Sequence, residues 1–445
     1  MVQDKKSFLI FNFYLIKMPK YIINGPAKLH GEIEVKGAKN HALKVIPAAM
    51  LSTEMMTIKN LPDIEDVKQS LSLIADLGAK VERSEKGVAT IDPKEIAKTE
   101  LSPAFANKFR ASIMFVAPLL ARFGHVRFPH PGGCVIGAGE RPIDLFLDGF
   151  SALGAEVKVE GGFYDIKAQG RLSGGQFFFP VVSVTATESL MMAATLASGT
   201  TLLKNCAMEP EIKALADYLN ENGAKIQGAG TPTMSIEGVE RLFASECHII
   251  PDRIETGSFM CLAATTHSEI NIKKCVPEHV ESLLEIFKHA GIPFEVGADW
   301  IKVKEIAEFK PYSVKTHEYP GFPTDLQSPY TVLMTQAKGS SIIFETIYDR
   351  RLLYTDLLSQ MGADIIMCDP HRVVVNGKAA LHGRRLTSPD LRAGIALIIA
   401  AIAAKGKTEI DNIYQIERGY EDIVGRLSSL GADIKKVEDC PSACA

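Results

Sequence analysis

The hydrophobic pattern of the chain repeats itself. A turn-like Gly, mostly followed by Ala and then by alternating polar and apolar positions, appears first in LGAKVE at Leu77 to Glu82. It returns as LGAEVK from Leu153, NGAKIQ from Asn222, AGIPFE from Ala290, MGADII from Met361 and LGADIK from Leu430. The six glycines are Gly78, Gly154, Gly223, Gly291, Gly362 and Gly431, separated by 76, 69, 68, 71 and 69 residues, so the period marks an internal repeat. Before each glycine lies a stretch with apolar residues at helical spacing, such as Val67 to Leu77 or Ile423 to Leu430. This predicts an amphipathic helix, closed by glycine in the left-handed conformation and followed by a strand. Farther upstream each unit has a more apolar stretch rich in Ala and Leu, such as SLMMAATLASG or IALIIAAIAAKG, leading into a short strand such as TEIDNI.

The pattern therefore predicts an α/β protein of six β-α-β-α-β-type units, each with one buried and one half-exposed helix. A unit of about 70 residues cannot bury an Ala-rich helix alone, so units should pack around shared helical centres, three to a domain. The opening strand precedes the first helix. We therefore expect it to pair with the C-terminal half, which makes one domain discontinuous in sequence.

Composition narrows the function classes. With 46% hydrophobic and 23% charged residues over 445 positions, the chain is expected to fold throughout. Lys and Arg number 49 against 53 Asp and Glu, a net charge of −4 without any basic run, so neither nucleic acid nor an anionic membrane is an expected partner. Any anionic ligand must be held by local cations. The eight cysteines (Cys134, Cys206, Cys247, Cys261, Cys275, Cys368, Cys440 and Cys444) form no CxxC pair and no Cys/His ligand spacing. No metal site is expected, and the scatter suits a reducing cytosol. The apolar run SFLIFNFYLI within the first 17 residues lacks an Ala-x-Ala cleavage site and is too short to span a bilayer. It reads as an extension, residues 1–17, before a domain that opens at Met18.

Five places could carry chemistry. In VKGAKNHAL, Gly37, Lys39 and Asn40 stand where a strand meets an Ala-rich helix, and orphan backbone donors plus a point charge suit a phosphate or carboxylate. The plainer alternative is an exposed lysine near a cap. In HPGGCVIGAGERPIDL, Gly132, Gly133, Gly137 and Gly139 surround Cys134 and lead to Arg141; nearby cations would lower the thiol pKa. A surface loop with an incidental thiol is the alternative. Arg110, Arg392 and Arg418 each open or abut a predicted helix, where a guanidinium fork could bind an anion or serve structure alone. Asp325 in YPGFPTDLQSP is either a helix N-cap or a general base. The hydroxyl-rich VSVTATES around Ser183 to Ser189 is either an ordinary cap or a phosphate-binding turn.

Taken together, the sixfold repeat and the strings KGAKN, PGGC, PDRIETG, FPTD, DLRA and RGYE resemble the UDP-N-acetylglucosamine 1-carboxyvinyltransferases, a family of enolpyruvyl transferases. The resemblance runs from about Met18 to Val437. It implies two inside-out α/β domains of three units each, joined by a double linker: residues 39–250, and residues 18–38 with 251–445. It also implies transfer of the enolpyruvyl group of phosphoenolpyruvate to the 3-hydroxyl of UDP-N-acetylglucosamine, with release of phosphate, by addition and elimination. That step commits material to peptidoglycan, is cytoplasmic, and needs only these two small-molecule substrates, with no cofactor.

The same resemblance assigns roles. Cys134 matches the general acid and the thiol alkylated by fosfomycin, and Asp325 the base. Lys39, Asn40, Arg141, Arg392 and Arg418 match the phosphoenolpyruvate contacts, with Lys39 and Arg418 also catalytic. Arg110, Arg141, Pro142, Ile143, Asp144 and Leu145 match the uridine side of the UDP-sugar site, Ser183 and Val184 its diphosphate turn, and Ile347 and Asp325 its sugar. Three places depart from the family pattern: two extra residues between Cys134 and Arg141, Val181 where some members carry lysine, and Asp349-Arg350 for a more usual Glu-Asn, with Arg351 retained. A related transferase acting on shikimate 3-phosphate, and a catalytically silent UDP-sugar-binding paralogue, are the alternatives. The former is disfavoured by the PGGC thiol and by GAKN.

Overall fold

The computed structural model describes residues 19–107, 109–132 and 143–438. The expected extension 1–17, Cys134, Arg141 and Pro142 lie outside the described residues.

Six small sheets organise the chain, five of four strands and one of three among the described residues. One pattern recurs. Met56–Lys59 pairs antiparallel with Val88–Asp92, which pairs antiparallel with Lys80–Glu85, while Glu246–His248 lies parallel on the outer side of Met56–Lys59. The repeat thus contains a hairpin after its glycine, one strand more than the pattern of the sequence indicated. In the three-stranded sheet the parallel strand shrinks to a single bridge between Glu100 and Arg127. In the last sheet the hairpin position is filled from the far end of the chain: Lys20–Gly25 lies between Gly406–Asp411 and Asp433–Val437, antiparallel to both.

All six repeat glycines have positive φ, from 75° at Gly291 to 117° at Gly78, as the left-handed helix end requires. The Ala-rich helices are the buried ones. Arg253–Thr265 is buried along its whole length, and Leu391–Ala403 over residues 391–402. Small side chains let these helices approach closely. A Cβ on Gly257 would lie 2.4 Å from the Leu326 side chain, so glycine there lets the helix reach the turn that carries Asp325.

Apolar side chains form two cores. One runs from Ala38 to Ile249, and the other joins Tyr21–Val35 to Ile254–Ile434. Two segments cross between these lobes side by side, bridged at Gly37 and Pro251, with Ala38 N–H donating to Ile250 O (2.7 Å) and Asp252 N–H to Lys36 O (2.9 Å). The buried Arg253 Nε, whose N–H is shared between both oxygens of Glu211 (3.1 and 3.2 Å), also ties the lobes. No helix among the described residues is long and apolar enough to cross a membrane.

Candidate active site

The site grows out of the crossing segments. Asp252 caps the Arg253–Thr265 helix, its Oδ1 accepting from the N–H groups of Ile254 (2.8 Å) and Glu255 (3.1 Å). Its Oδ2 accepts from the backbone N–H of Lys39 (3.1 Å), the first residue of helix Lys39–Ala48. One carboxylate therefore aligns two helix starts, one from each lobe, and holds Lys39 and Asn40 at the junction. Gly37 has a structural reason: a Cβ there would lie 1.9 Å from the carbonyl oxygen of Asn60.

Cations from both lobes meet at Asp66, a residue that sequence reasoning missed. Lys39 Nζ is 2.7 Å from Asp66 Oδ2, and Arg418 Nε, from the other lobe, is 2.7 Å from Oδ1. Burial alone would raise the Asp66 carboxyl, yet Lys39 and Arg418 hold it below its ordinary value. Burial pushes the Lys39 ammonium down, against the pull of Asp66, and the charges of Arg418 and Arg392 press in the same direction as burial. Two cations share one carboxylate, so the cluster keeps a net positive charge and favours an incoming anion.

Asp325 lies in a second cluster, and the N-cap reading fails there. It sits in the turn Thr324–Leu326 before helix Gln327–Met334, and no side chain caps either element. Instead Arg392 donates from Nε (3.1 Å) and Nη2 (2.9 Å) to Oδ2, while Arg351 Nη2 donates to Oδ1 (2.9 Å). Burial would raise this carboxyl, but the two guanidinium groups outweigh it and hold Asp325 well below the usual carboxylate range. Such a carboxylate is a weak base until a guanidinium leaves. Arg351 also donates to Thr324 Oγ1 (2.8 Å), and Thr324 donates to Glu345 Oε2 (2.8 Å). Glu345 Oε1 in turn accepts from the N–H groups of Ile347 (2.8 Å) and Tyr348 (3.0 Å), so the Ile347 turn is fixed to the Asp325 turn.

The remaining expected residues fall on the first lobe. Ser183 is a true N-cap, its Oγ accepting from Ala186 N–H (3.3 Å), and Val184 opens the helix Val184–Thr195. Arg110 Nη1 donates to Pro131 O (3.3 Å), at the base of the segment that leads to Cys134. Ile143 is buried, Leu145 half-buried, and Asp144 exposed at the start of Asp144–Ala152. Val181 is 61% exposed, which suits a position where a longer polar side chain could stand without repacking. Arg350 adopts a left-handed φ of 55° and turns toward Asp349 (3.7 Å), while Arg351 faces inward. Burial pushes the thiols of Cys206 and Cys275 up to about 11, so these are inert core residues.

Residues 23–427 match the family profile described as EPSP synthase (3-phosphoshikimate 1-carboxyvinyltransferase). Curated relatives from Desulforapulum autotrophicum and Halothermothrix orenii, each named UDP-N-acetylglucosamine 1-carboxyvinyltransferase, are 44% identical over 421 residues, covering 95% of this chain and 100% of theirs. Among solved structures, the enolpyruvyl transferase NikO from Streptomyces tendae superposes with a TM-score of 0.86 at 23% identity, over 95% of this chain and 100% of that one. An EPSP synthase from Acinetobacter baumannii does so with 0.71 at 17%, over 94% and 100%. These two likenesses establish the fold.

Proposed function

The chain belongs to the EPSP synthase family of enolpyruvyl transferases, and from that premise we propose that it transfers the enolpyruvyl group of phosphoenolpyruvate to the 3-hydroxyl of UDP-N-acetylglucosamine. The observation that carries this choice of acceptor is the 44% identity, over the full length of each, to relatives named for that reaction. The PGGC thiol and GAKN string point the same way. The product feeds peptidoglycan synthesis. We place the protein in the cytoplasm, a reading supported by the free thiols of Cys206, Cys247, Cys261, Cys275 and Cys368. We take residues 39–250 as one domain and 18–38 with 251–445 as the other, each built on one of the two cores.

The geometry suits an addition followed by an elimination. Lys39, Asn40 and Arg418, with Arg141 from the Cys134 segment, take the phosphate and carboxylate of phosphoenolpyruvate between the lobes. Arg392 stands close enough for its charge to press on Lys39, and it can pass from Asp325 to the substrate anion. Once it does, Asp325 keeps only Arg351, its pKa climbs, and it becomes able to take the proton of the sugar 3-hydroxyl. The hydroxyl oxygen then bonds to C2 of phosphoenolpyruvate while Cys134 gives a proton to C3. In the second half the Cys134 thiolate takes a proton back from C3, the C2–O bond to phosphate breaks, phosphate leaves with the proton that Asp325 held, and the enolpyruvyl ether remains. The base is thus switched on by the substrate whose partner it deprotonates. On the nucleotide side we assign Arg110, Arg141, Pro142, Ile143, Asp144 and Leu145 to the uridine, Ser183 and Val184 to the diphosphate, and Ile347 to the sugar, by the resemblance of the sequence.

The test is phosphate release from phosphoenolpyruvate by the purified protein. Release that requires UDP-N-acetylglucosamine is the expected result; none with both substrates and folded protein refutes the proposal.

A further inference from the structure

Beneath the two substrate-facing helix starts lies a buried ion pair that the reaction does not use. Lys44 Nζ is 3.2 Å from Glu188 Oε2, and the two side chains are 6% and 0% exposed. Lys44 Nζ also donates to the carbonyl oxygen of Asn40 (2.7 Å). Burial pushes the Glu188 carboxyl up to about 8, with Lys44 opposing the rise. Neither Glu188 carboxyl oxygen has an aligned hydrogen-bond partner among the described residues, so Lys44 approaches Oε2 by proximity alone. A buried and incompletely satisfied pair of this kind gives little or no stability over apolar packing, so its position calls for another reason.

That reason is visible in the register. Lys44 lies one helical turn below Asn40 in Lys39–Ala48, and Glu188 lies one turn below Val184 in Val184–Thr195, so each side chain sits directly beneath a helix start. The first start carries Lys39 and Asn40. The second carries Ser183 and Val184. We propose that Lys44 and Glu188 form a positioning brace that sets the distance between the phosphoenolpyruvate turn and the diphosphate turn, and so aligns the sugar hydroxyl with C2 of phosphoenolpyruvate. This rests on the assignment of those two turns made above. The brace touches neither substrate. It acts through the backbone of Asn40 and through the first turn of the second helix, where a misplacement of about 1 Å costs up to a hundredfold in rate.

The test measures KM for both substrates, and kcat, in the phosphate-release assay. Glu188→Leu removes a group on the nucleotide-side helix, yet it is expected to raise KM for phosphoenolpyruvate as well as for UDP-N-acetylglucosamine, each by about tenfold. Glu188→Gln keeps an oxygen for Lys44 and is expected to return both KM values to within about twofold of wild type. In Lys44→Met/Glu188→Leu no charge is left buried alone, so the melting temperature should recover to that of the wild type while both KM values stay raised. A Glu188→Leu or double variant with an unchanged KM for phosphoenolpyruvate overturns the brace. Wild-type protein that releases no phosphate overturns the functional assignment instead, and the brace with it.

Discussion

If Asp325 is the base and its two arginines set its strength, replacing Arg351 should move the pH at which the enzyme loses activity. Arg351 Nη2 lies 2.9 Å from Asp325 Oδ1, on the side opposite Arg392, and its side chain is only 4% exposed. At a charge separation of roughly 4 Å and an effective dielectric of ~20, one guanidinium favours the carboxylate by about 4 kcal/mol, or about three pH units. Substrate draws Arg392 away and leaves Arg351 as the remaining clamp. In Arg351→Leu nothing then holds the carboxyl down, so Asp325 takes up a proton at a higher pH than in the wild type. The acidic limb of kcat against pH, which reports the substrate-bound enzyme, should shift alkaline by one to about three units. Arg351→Lys restores a cation and should recover most of that shift. Losing the bond from Arg351 to Thr324 (2.8 Å) loosens the turn and lowers the whole profile, but it does not move the limb. A limb that stays in place in Arg351→Leu, within about 0.3 units, would show that this carboxylate is not the titrating base or that the clamp does not tune it.

Three further outcomes are expected. Asp66→Asn leaves Lys39 and Arg418 facing each other without a carboxylate and should destabilise the protein by about 3 kcal/mol; inorganic phosphate should return part of the lost melting temperature by taking the carboxylate's place, and a phosphate effect equal to that on wild type would count against an anion site there. His41 is buried, and burial lowers its pKa from 6.5 to about 4, so stability is full above pH 6.5 and falls by about 3 kcal/mol as the pH drops to 4. Its Nδ1 accepts from Ile250 N–H (3.3 Å), a bond that protonation removes, and His41→Asn should flatten the pH dependence of urea unfolding across that window. Fosfomycin should add to Cys134 by intact mass in the presence of UDP-N-acetylglucosamine, and Cys134→Ser should show no adduct.

What the sequence made legible was what local chemistry decides. Glycines that must take positive φ, and Ala-rich stretches that must be buried, announce themselves within a few residues, so the six units could be counted before any coordinates. The cap at Ser183 was legible for the same reason. Asp325 was ambiguous because a lone aspartate before a helix looks like a cap; its true partners lie 26 and 67 residues away. Asp66 gave no signal at all. It reads as an ordinary acidic residue in a first helical turn, and the arginine that gives it meaning is 352 residues distant. Lys44 and Glu188 likewise look like the polar faces of two helices until the fold buries both.

The strand Lys20–Gly25 has a consequence for how the protein is made. Its neighbours in the sheet, Gly406–Asp411 and Asp433–Val437, leave the ribosome long after it, with Tyr21 opposite Ile410. At about 5–20 residues per second the strand waits roughly 20 to 80 s for them. The lobe from Ala38 to Ile249 is contiguous and can close during synthesis, whereas the other can finish its last sheet only when Asp433–Val437 has emerged. Vectorial synthesis therefore orders the two lobes in time, and the cleft between them is the last part of the molecule to exist.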